Sequence, residues 1–134
     1  MGFMSTAVYT ILQSEKLHKA YRAGRRIEFS EGKAWQRASE LLGEARERDL
    51  ILPIVFAPGE RTRDLIYYGH IDDLTVLSEP DSEGNRTHVV VTNLVRIKPP
   101  RPRKMDLTVV STNRGIPSGY IRPYVICKTP KFLK

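Results

Sequence analysis

Residues 52–77 read LPIVFAPGERTRDLIYYGHIDDLTVL, and residues 87–97 read THVVVTNLVRI. Ile51, Leu52, Ile54, Val55 and Phe56 make the short apolar run of a buried strand, closed by Pro58 and Gly59. After the polar stretch from Glu60 to Arg63, Leu65 to Tyr68 resumes an extended chain and Ile71 to Leu77 prolongs it. Gly69 between them marks a bulge or the close approach of another backbone. Gly84 and Asn85, at the end of Asp81 to Asn85, supply a hairpin turn, and Val89, Val91, Leu94, Val95 and Ile97 fill the next strand. The middle of the chain is therefore expected to be an antiparallel meander.

Upstream, Ala7 to Leu12 has strand character, and Ser14 offers an N-cap to a helix over Glu15 to Ala23 that Gly24 would stop in a left-handed conformation. Leu17, Ala20 and Tyr21 form its apolar face, and Lys16, Lys19, Arg22, Arg25 and Arg26 read as a solvated one. Arg26 to Phe29 is expected to be extended. Trp35, Ala38, Leu41, Leu42 and Ala45 then recur at helical spacing, predicting a second helix. Downstream, Lys98 to Lys104 packs three prolines and four cations into seven residues, a composition that resists helix and central strand and should lie exposed. Leu107 to Val110 and Tyr120 to Cys127 read as extended, with the Thr112 to Gly119 loop between them; Phe132 and Leu133 either pack back or meet a partner. The expectation is one α+β domain over residues 1–134: a strongly curved, mostly antiparallel sheet or small β-barrel with two N-terminal helices.

The charge is unevenly placed. Residues 96–134 carry ten Lys or Arg against the single acid Asp106, whereas residues 1–95 carry twelve against fourteen acids. Neighbouring cations act together within a Debye length of about 8 to 10 Å, so a basic C-terminal third attracts polyanions better than the same charge spread evenly. With 40% hydrophobic and 28% charged residues in 134, the chain has the balance of a globular domain. No apolar run approaches the roughly 20 residues that cross a bilayer, and Met1 to Thr10 lacks a basic leader, so a cytoplasmic protein with no membrane partner is expected. Cys127 is the only cysteine, and His18, His70 and His88 form no ligand cluster with it; no metal or cofactor is expected.

In element order and character from about Leu52 onward, these two runs and the late YIRPYVICKTPKFL, residues 120–133, resemble the PUA-like superfamily of small β-barrels, which includes the EVE, YTH and ASCH domains. The resemblance implies binding of RNA, or of modified bases in DNA, in a cleft of the barrel wall. The sequence departs from the pattern in one respect: it offers no complete aromatic cage of the YTH kind, because the sole tryptophan, Trp35, lies on the core-facing stripe of the second predicted helix, so recognition of a methylated base is not expected.

Three groups could meet nucleic acid. Lys98, Arg101, Arg103 and Lys104 can contact phosphates, and the prolines among them reduce the entropy lost on ordering; the plainer reading is a solubilising connection. Arg61 and Arg63 beside Tyr67 and Tyr68 offer flat faces for an unstacked base, but consecutive strand residues face opposite ways, so only one tyrosine can line a given pocket. Asn113, Arg114 and Arg122, near Tyr120, sit in or beside a loop rich in donors, which equally reads as plain turns.

Alternation would put His70 and Asp72 on one face, where they could bind an ion or activate water; a salt bridge of Asp72 or Asp73 with an arginine is the simpler expectation. The resemblance to ASCH domains implies a Lys, Thr and Glu hydrolase set, for which Lys19, Lys33, Thr62 and Glu60 supply the residue types without a distinguishing spacing. The leading expectation is a non-catalytic nucleic-acid-binding module. A small nucleoside or nucleic-acid hydrolase, and a domain whose basic surface meets an acidic protein, are the alternatives.

Overall fold

A computed structural model describes residues 2–59, 64–116 and 124–133. The elements in chain order are β1 (Thr6–Ile11), α1 (Ser14–Arg22), β2 (Ile27–Glu31), α2 (Gln36–Glu47), β3 (Pro53–Ala57), β4 (Tyr67–Val76), β5 (Thr87–Arg96), a 3-10 turn (Lys104–Asp106) and β6 (Tyr124–Lys128). The strands form one six-stranded sheet in the order β2-β5-β4-β3-β1-β6. β3, β4 and β5 are the expected antiparallel meander. β1 and β3 pair in parallel, so the sheet is mixed. It is α+β, as read from the sequence, but β2 and β6 remain its two edges and it does not close into a barrel. No helix among the described residues is long and apolar enough to cross a membrane.

Both faces of the sheet are covered, which is why β3 is buried at every position. Val8, Ile54, Phe56, Ile71, Val89 and Val91 pack under Leu17 of α1 and Ala38, Leu41, Leu42 and Ala45 of α2. Their strand neighbours Ala7, Tyr9, Val55 and Ala57 point the other way and are covered by Ile97, Leu107, Val109, Ile116 and Leu133. Period-two alternation thus feeds two apolar layers, the second built, among the described residues, without an α-helix.

Both helices end as their sequences dictate. Gly24 has φ +93 and the Arg25 N–H returns to the Ala20 carbonyl at 2.9 Å. Asp49 (φ 54) does the same for α2, with Leu50 N–H on the Ala45 carbonyl at 2.8 Å. Gly69 meets both halves of its expectation. The register shifts between Tyr68 and His70, with Asn93 (φ 53) on the partner strand. A Cβ at Gly69 would stand 2.6 Å from Val91 Cγ1 and 3.0 Å from the Thr92 carbonyl oxygen.

Candidate nucleic-acid interface

The register brings several strand ends to one end of the sheet. Tyr67, which opens β4, pairs with Phe56 near the end of β3 and with Arg96 at the end of β5. Thr10, near the end of β1, pairs with Tyr124 at the start of β6. The proline loop leaves β5 at this same end, and its Pro102 carbonyl accepts the Leu65 N–H at 2.8 Å.

Tyr67 and Tyr68 face opposite ways, as alternation requires: Tyr67 belongs to the layer under the helices, Tyr68 to the layer on the other face. Tyr67 is 1% exposed. Its hydroxyl lies 2.7 Å from His18 Nδ1, and the rings of His18 and Tyr21 close over it at 5.4 and 5.5 Å between centroids. A base therefore has no access to its faces, and the stacking role read for Tyr67 is corrected: α1 docks on the first residue of β4. The phenol is instead the centre of a cationic cluster. Burial raises its pKa, while the nearby guanidiniums of Arg96, Arg22 and Arg101 pull in the opposite direction. The Arg25 guanidinium lies 4.8 Å from the centre of the Tyr21 ring. Among the described residues, none of Arg22, Arg25, Arg96 and Arg101 is paired with a carboxylate.

The proline loop is exposed in part. Lys98, Pro99, Pro100 and Arg103 are exposed. Arg101 is half-buried, its Nε donating to the Ile97 carbonyl at 3.2 Å. Lys104 opens the 3-10 turn and is buried at 7% exposure, against the expectation that it lies exposed to meet a phosphate. Asp106, the one acid of the basic third, spends its carboxylate on the backbone N–H of Arg103 at 2.9 Å. Arg61, Arg63 and Arg122 lie outside the described residues, as do Glu60 and Thr62.

No family model, curated protein or solved structure matches the chain.

Asn113 and Arg114 sit apart from the Tyr67 cluster. They form a tight hairpin on the outer side of β6, with Val109 N–H on the Arg114 carbonyl and Asn113 N–H on the Val109 carbonyl, both at 2.8 Å. Asn113 takes φ 58, and its Oδ1 accepts from Lys128 Nζ at 3.1 Å. β6 is three strand positions from β4, about 14 Å at the usual spacing. Among the described residues of this loop these backbone bonds make a turn; its remainder, with Tyr120 and Arg122, lies outside the described residues.

His70 and Asp72 line one pocket with Arg46 and Asn93, although a register shift between Ile71 and Asp73 makes Asp72 an extra residue in the strand. His70 Nδ1 meets the Asn93 side chain at 3.0 Å, burial lowers its pKa, and Asp73 takes the expected arginine, Arg46, at 3.4 Å. Among the described residues no group of three His, Cys, Asp or Glu could hold a metal. Lys19 and Lys33 are exposed.

Sequence reasoning missed two arrangements. His18, Tyr21, Arg22 and Arg25 fall at i, i+3, i+4 and i+7, one face of α1 continued into its cap, and that spacing was the available signal for the Tyr67 cluster. The other joins Ser30 Oγ to His88 Nδ1 at 2.7 Å and His88 Nε2 to Asp81 Oδ2 at 3.3 Å. This has the connectivity of nucleophile, base and orienting carboxylate. Ser30, however, lies exposed on the edge strand, where water competes for its hydroxyl, and the three side chains act as a fastening between β2 and the β4–β5 turn.

Proposed function

We propose that this chain is a non-catalytic module that binds nucleic acid through the cationic end of its sheet. The observation that carries the reading is the gathering of Arg22, Arg96 and Arg101 around one buried phenol without carboxylate partners among the described residues. Like charges held together repel, and a polyanion offsets that repulsion while releasing its counterions. Lys98 and Arg103 extend the cluster along the exposed loop, so phosphates are met from the turn of helix α1 to the prolines. A PUA-like affiliation is part of this proposal; it rests on the sequence pattern from about Leu52 onward, with a sheet that is open where that superfamily has a barrel.

Fluorescence anisotropy with single-stranded RNA, single-stranded DNA and duplex DNA across a salt series tests the reading. Micromolar or tighter binding, with a steep salt slope and a preference among the three, is the expected result. Weak binding indistinguishable from that of heparin would overturn it and favour an acidic protein as the partner.

A further inference from the structure

The face of the sheet opposite the helices carries a groove that adjoins the cationic end and shares Arg96 and Lys98 with it. We infer that it takes a single strand of nucleic acid, with bases against Tyr68 and Phe132 and phosphates on Lys98, Lys128 and Lys131. The inference rests on the nucleic-acid reading and names the form of that ligand.

The groove has two lobes, of about 340 and 410 Å³, which share Pro102 and Phe132. Each is large enough for a small ligand. Tyr68, Pro100, Pro102 and Phe132 make the apolar floor of the first, and Lys98 stands at its rim. Lys128 and Lys131 line the second. All three lysines are exposed. The one acid among the described lining residues, Asp106, accepts from the Arg103 N–H, and Lys128 donates to the neutral Asn113 amide oxygen, so neither contact neutralises the lysines. The floor is therefore apolar and the rim positive, a complement to bases joined by phosphates.

Two features favour a single strand over a duplex. Tyr68 and Phe132 are half-buried, and their centroids are 6.3 Å apart with planes inclined by 67°, so the two rings cannot sandwich one base between them. Base faces in a duplex are already stacked; only unstacked bases can use these rings. The backbone would cross from Lys98 to Lys128 and Lys131, past the prolines that stiffen the wall.

The test uses the whole chain and labelled oligonucleotides of about 12 nucleotides: a DNA single strand, its duplex, and an abasic strand of equal length. The expected order is base-bearing strand tightest. A Tyr68→Leu, Phe132→Leu variant should weaken that strand by roughly 5- to 100-fold and leave the abasic strand unchanged. A Lys128→Gln, Lys131→Gln variant, at exposed positions that leave the core intact, should make the single-strand salt slope shallower by about 0.7 per cation. Equal binding of abasic and base-bearing strands, or tighter binding of the duplex, would overturn the groove and leave the cationic end standing. So would polyglutamate that displaces the strand at equal concentration. No binding to any of the nucleic acids would overturn both.

Discussion

The Tyr67 hydroxyl and His18 Nδ1 stand 2.7 Å apart, fastening α1 to the first residue of β4 and setting Arg22 beside the same phenol. Tyr67→Phe keeps the ring and removes this bond. It should cost about 0.5 to 1.5 kcal/mol in urea unfolding and leave nucleic-acid affinity unchanged. An affinity loss as large as that of Arg22→Ala would place the hydroxyl in contact with ligand.

Tyr9 is 1% exposed and its hydroxyl has no hydrogen-bond partner among the described residues. Tyr9→Phe should raise stability by about 1 kcal/mol. Burial also pushes the phenol from 10.0 up to about 12. Because the folded pKa lies above the unfolded one, the stability carried by the neutral phenol is complete below pH 10.0 and lost as pH rises toward 12. Thermal melts in this alkaline window should fall more steeply for the parent than for Tyr9→Phe; parallel curves would count against a buried neutral hydroxyl.

Asp81 anchors the β4–β5 turn. The backbone N–H groups of Asn85 and Glu83 hold its carboxyl below the usual 3.8, with His88 adding to them. A depressed folded pKa gives stability that is present above 3.8 and lost as pH falls through the lower folded value. The gap in stability between the parent and Asp81→Ala should accordingly hold near neutral pH and narrow in acid. Urea titrations at neutral and strongly acidic pH check this, and a gap that widens in acid would contradict it.

Gly69→Ala places a methyl 2.6 Å from Val91 Cγ1 and 3.0 Å from the Thr92 oxygen. The site lies between two paired strands, so relief requires a shift of backbone. A loss of about 1 to 3 kcal/mol is expected in chemical denaturation. An unchanged midpoint would mean that the strands can separate at little cost.

The meander was legible because its strands are consecutive and Gly69, Gly84 and Asn85 mark their irregularities locally. The parallel pairing of Val8 with Ile54 was not, since it joins strands separated by α1, β2 and α2, and alternation carries no information about such a partner. The same limit applied to the site. Lys98 and Arg103 are exposed as the proline-rich composition implied, yet Lys104 is buried at the start of a 3-10 turn that charge counting cannot register. Tyr67 and Tyr68 could be assigned to opposite faces, but which face the helices would seal depended on where α1 docked. Arg22 and Arg25 belonged to a helix face read as solvated, and only the packing of Tyr21 and His18 on Tyr67 brings them toward Arg96.

The most direct measurement is the salt dependence of nucleic-acid affinity for Arg22→Ala, Arg96→Ala beside the parent, with folding verified by circular dichroism. If these guanidiniums meet phosphates, the slope of log K against log salt should become shallower by about 0.9 per arginine on duplex DNA, or about 0.7 on a single strand. A folded variant with the parent's slope would contradict the cationic end as the binding site.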